Sequence, residues 1–71
     1  MADTASDLLR KCLAARRAGD DFPTVWQTVL KGHPLVVGVP FQRIENDQPL
    51  LEIRLITGQR LILDDKGYRI S

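Results

Sequence analysis

The amino-acid sequence predicts one small α+β domain over residues 1–71, with two N-terminal helices packed on one face of a three- or four-stranded antiparallel β-meander. Three observations lead there. Up to Leu30, apolar residues recur at helical spacing between recognisable cap residues. Beyond Pro40 the period changes to alternation. Short glycine-bearing turns then divide the alternating runs.

The first helix is predicted over residues 4–18, with Leu8, Leu9, Cys12 and Leu13 on one stripe. Thr4 is placed to cap it, and Asp7, three residues on, completes a capping box with Asp where Glu is usual. Asp7 near the start and Arg16 and Arg17 near the end both suit the helix dipole. Gly19 is a natural stop because it enters the left-handed region cheaply. A second helix is predicted over residues 24–31, capped by Asp21 and opened by Pro23. Its stripe is Val25, Trp26, Val29 and Leu30, and Gly32 and Pro34 end it. Residues 35–40 form an extended crossover or a short edge strand, since Gly38 and Pro40 interrupt the apolar run.

Strands are predicted over residues 41–45, 50–57, 60–64 and 68–70, joined by a turn over residues 46–49, a two-residue Gly58-Gln59 loop and a three-residue Asp65-Lys66-Gly67 turn. Counting register from those turns sets Leu55 opposite Ile62, Ile62 opposite Ile70 and Ile44 opposite Leu51. One face then carries Ile44, Leu51, Ile53, Leu55, Ile62 and Ile70, with Tyr68 at its end, and receives the helices. Trp26 should pack against the part bearing Ile53, Leu55 and Ile62. The other face mixes Arg43, Glu52, Arg54 and Arg69 with Phe41, Leu50, Ile56, Leu61 and Leu63. Residues 1–3 and Ser71 are expected to fray.

Chemistry-bearing residues are sparse. One cysteine excludes an internal disulfide, and one cysteine with one histidine makes no recognisable zinc site. Cys12 lies on the buried stripe, mid-helix, where a thiol is packing material and not a nucleophile. His33 sits just beyond a helix, with no carboxylate or nucleophile at a useful spacing, and is assigned a structural role. Asp20-Asp21 and Asp64-Asp65 are caps and turn formers, and neither follows a calcium-loop pattern. The glycines are dispersed singly, so no phosphate-binding loop forms and no cofactor is implied. No apolar run approaches the roughly 18 residues of a membrane span. Asp3 and Asp7 occupy the place of a signal peptide's basic region, so a cytoplasmic location is expected.

These features predict a protein that is not an enzyme. The expected role is an interaction or accessory/regulatory module that self-associates or docks another protein, with no membrane and no small-molecule cofactor involved. Its interface is expected on the mixed face, at Phe41, Arg43, Leu50, Arg54, Ile56, Leu61 and Leu63. The alternative is a nucleic-acid-binding regulator using the basic helix 4–18 and the sheet arginines, through Arg10, Lys11, Arg17, Arg43, Arg54, Arg60 and Arg69. Ten basic against nine acidic side chains, a formal net charge of +1, give that alternative no general electrostatic drive.

Overall fold

A computed structural model describes residues 4–71, and the predicted fraying of residues 1–3 lies outside them. Helix α1 (Ala5–Arg17) opens on the predicted capping box: the Thr4 hydroxyl accepts from the Asp7 N–H, and the Asp7 carboxylate accepts from the Thr4 N–H. It closes in a Schellman motif, because Gly19 takes φ 90° and lets two amides turn back. The Gly19 N–H donates to the Arg16 carbonyl and the Asp20 N–H to the Ala15 carbonyl. Helix α2 (Phe22–Val25) is capped by Asp21, whose carboxylate accepts the Thr24 N–H at 3.1 Å. It continues as a π-helical turn, Trp26–Leu30, closed by the Lys31 N–H on the Trp26 carbonyl. The wider turn puts Val25 and Leu30, five apart, both fully in the core, and leaves Trp26 half-buried at its rim.

The sheet is the predicted meander with four antiparallel strands in the order β1 (Val36–Glu45), β2 (Gln48–Leu55), β3 (Arg60–Asp64) and β4 (Gly67–Ile70). Both helices lie on one face, so the α+β architecture is as predicted. Residues 35–40 do not stop before residue 41. They feed one long edge strand that bulges between Val37 and Phe41.

Register departs from expectation at every hairpin. Asn46 and Asp47 both adopt positive φ, 53° and 61°, so they form a two-residue turn, and Gln48 and Pro49 join β2. Glu45 then pairs with Gln48 and Ile44 with Pro49, an even shift that leaves the faces of β1 unchanged. Between β2 and β3 the loop has three residues, Ile56-Thr57-Gly58, in place of Gly58-Gln59. Gly58 takes φ 89°, its N–H donates to the Leu55 carbonyl, and the Leu55 N–H donates to the Gln59 carbonyl. Ile53 therefore faces Leu61 and Glu52 faces Ile62. This odd shift turns β3 over. Leu61 and Leu63 belong to the helix face, and Ile62 belongs to the open face. A second odd shift at Asp65-Lys66 sets Leu61 opposite Ile70 and Leu63 opposite Tyr68, which restores the predicted face of β4.

The core unites Leu8, Cys12, Val25, Leu30 and Leu35 with Ile53, Leu55, Leu61 and Tyr68. Trp26 packs against this cluster, beside which Ile62 has no place. Ile44 is on the helix face by register but lies 75% exposed, because β1 runs out beyond the cover of the helices. Ser71 is not frayed: its N–H and carbonyl both bond to Arg60.

Candidate interaction surface

The open face of the sheet is built around one buried carboxylate. Glu52 is only 3% exposed, although no helix covers this side. Its Oε1 accepts from Arg43 Nη1 at 3.1 Å and from Arg60 Nη1 at 2.8 Å, one arginine arriving from each neighbouring strand. Burial pushes the Glu52 carboxyl up, but the hydrogen bonds and charges of Arg60 and Arg43 outweigh it and hold the group below the usual carboxylate range. The same contact draws Arg60 away from Arg54, directly opposite it in the ladder, where two like charges would repel. Arg69 pairs with Asp64, whose other oxygen accepts the Lys66 N–H and fixes the β3–β4 turn. Arg54 and Glu45 have no ion pair among the described residues.

This network leaves less apolar surface on the mixed face than the sequence predicts. Leu50 faces Arg43 and Ile62 faces Arg69 across the ladder, and both are buried. The arginine stems supply the apolar cover that a helix supplies on the other side. Leu61, fully buried, and Leu63, half-buried, pack toward the helices and are removed from the predicted interface. Ile56 is exposed in the β2–β3 loop, with its N–H on the Leu35 carbonyl. Of the seven predicted interface residues, Phe41, Arg43, Leu50 and Arg54 share the open face.

The apolar surface that remains concentrates on the edge strand. Val39 and Ile44 are each 75% exposed and Phe41 is 58% exposed, with Val37 partly so. Val37, Gly38, Val39, Phe41 and Arg54 line one shallow depression along the bulge. Val37, Val39 and Ile44 do not belong to the interface expected from the sequence. Their signal is the period-two series Val37, Val39, Phe41, which is lost when residues 35–40 are separated from the strand at 41–45.

The alternative footprint divides. Arg10, Lys11 and Arg17 are exposed on α1, which packs on the helix face of the sheet. Arg43, Arg54, Arg60 and Arg69 project from the opposite face, across a slab 18 Å in its shortest extent. Arg43, Arg60 and Arg69 are already paired with carboxylates.

The other candidate groups are in structural settings. Cys12 is fully buried, and burial pushes its thiol up to about 11. His33 Nδ1 accepts the Leu35 N–H at 3.1 Å, which fixes the chain's entry into β1. Among the described residues no three His, Cys, Asp or Glu side chains converge to hold a metal ion, and no helix is long and apolar enough to cross a membrane. Compared with protein-family models, curated proteins and solved structures, the chain gives no match to any.

Proposed function

We propose that the chain is a small non-catalytic interaction module of accessory or regulatory type, working in the cytoplasm, which self-associates through edge strand β1. One observation carries this reading: among the described residues, four of the five large apolar side chains left exposed, Val37, Val39, Phe41 and Ile44, lie on this one strand at the sheet's edge. Scattered exposed aliphatics are ordinary, but a group of them along an open strand edge invites pairing with another chain. The opposite edge is less available. β4 is only four residues long, α1 packs chiefly against it, and the Arg16 side chain lies over Gly67. A chain of 71 residues also buries a small share of its surface and gains from a symmetric partner. A nucleic-acid role using all seven proposed cations would need them on one surface, and they project from opposite sides of the slab.

Sedimentation equilibrium at micromolar concentrations tests the reading. The expected mass is twice the 8.0 kDa of the chain, and a single species at 8.0 kDa refutes self-association.

A further inference from the structure

Building on that self-association, we infer that two copies join by antiparallel pairing of β1 with β1 about a twofold axis through Gln42, making one continuous sheet of eight strands. The argument begins with which backbone groups are free. The two-residue Asn46-Asp47 turn makes Glu45 and Gln48 a hydrogen-bonded pair, so Arg43 and Phe41 also bond inward to β2. Gln42 and Ile44 then direct their N–H and carbonyl groups outward. Among the described residues neither meets another element there. Pro40 has no N–H, and the strand bends through the bulge before it, so the open run is short and its length is set.

Centring on Gln42 uses that run fully. The two Gln42 residues exchange both backbone bonds, and each Ile44 N–H meets the Pro40 carbonyl of the other copy. On the open face Arg43 of one copy stands directly across from Phe41 of the other, twice by symmetry. Glu52 steadies Arg43 from behind. An arginine beside an aromatic ring is an attractive cross-strand pair. Ile44, 75% exposed in the single chain, is covered by Pro40. At each end Glu45 comes beside the Val39 bulge of the other copy, on the face where Arg54 has no ion pair among the described residues. These two groups lie two strand spacings apart, about 10 Å, which their side chains together span. A centre on Ile44 would set Arg43 across from Glu45, but it would run the strands into the Asn46-Asp47 turns and leave Val39 and Phe41 in water. A centre on Arg43 would oppose like charges.

Disulfide trapping tests this register in the full chain. Gln42 is exposed, so Gln42→Cys leaves the fold intact, and buried Cys12 does not compete. In the inferred dimer the two position-42 Cα atoms lie about 5.5 Å apart, inside the disulfide range. The two position-44 Cα atoms are four strand steps apart, about 13 Å, and outside it. Mild oxidation should convert Gln42→Cys largely to covalent dimer and leave Ile44→Cys monomeric on a denaturing gel. If sedimentation shows a dimer but Ile44→Cys is the variant that cross-links, or neither does, the register is overturned while self-association stands. A chain that stays monomeric overturns both, and leaves β1 to a strand of a different protein.

Discussion

The register of β3 is tested most directly by exchanging two leucine-sized side chains for alanine, one at Leu61 and one at Ile44. The structure puts Leu61 at 0% exposure in the helix–sheet core and Ile44 at 75% exposure on the edge strand. Register counted from the sequence alone predicts the reverse, with Ile44 under the helices and Leu61 on the open face. Removing a fully enclosed leucine side chain costs about 3–5 kcal/mol, the lost transfer free energy plus the cavity left behind. A chain of 71 residues has roughly 4–11 kcal/mol of folding free energy in all. Leu61→Ala therefore uses about a quarter or more of the margin. With a urea slope near 1 kcal/mol per molar, its unfolding midpoint falls by roughly 3 M or more. Ile44→Ala, a surface change, stays within about 0.5 kcal/mol. Urea unfolding followed by Trp26 fluorescence, at concentrations low enough to keep the chain monomeric, reads both. A Leu61→Ala cost below about 1 kcal/mol would refute the assigned face of β3, and an Ile44→Ala cost equal to that of Leu61→Ala would refute the exposure of Ile44 beyond the helices.

Two further outcomes concern the titrating groups. Hydrogen bonds from the Thr24 side chain and backbone hold Asp21 below its ordinary value, and the Lys66 N–H, with Arg69, does the same for Asp64, as Arg60 and Arg43 do for Glu52 against its burial. Depressed carboxyls stabilise the folded state above the ordinary carboxylate range and lose that contribution as pH falls through their folded values. Urea midpoints should thus be level from neutrality down to about pH 5 and fall steadily below it, and a midpoint unchanged at about pH 2.5 would contradict the assigned hydrogen bonds. The Cys12 thiol, enclosed and raised to about 11, should resist an aromatic disulfide reagent at neutral pH until urea unfolds the chain. Labelling of the native protein at the rate of a free thiol would place Cys12 at the surface.

Local signals carried the helices. Thr4 with Asp7, Asp21 with Pro23, and Gly19 each act on groups within four residues, so their effect does not depend on the rest of the chain. The existence and order of the strands were equally legible, because alternation and turn residues are local. The candidate surface was legible only in part. Phe41, Arg43, Leu50 and Arg54 were placed on the right face, since the error at the first hairpin was an even shift. Leu61 and Leu63 were not, since the next shift was odd.

The sequence by itself determined that glycine stands at position 58 and that a hairpin turns there. It did not determine whether Gly58 opens a two-residue loop or closes a three-residue one, because a left-handed glycine serves both at similar local cost. The tertiary structure decided it. With the three-residue loop, Leu61 and Leu63 join Ile53, Leu55 and Tyr68 under the helices, and of the β3 aliphatics only Ile62 is left on the open face, opposite Arg69. The other parity would send two leucines into water and draw one isoleucine in. Burial of apolar area, a property of the whole fold, outweighs the small difference between two turns.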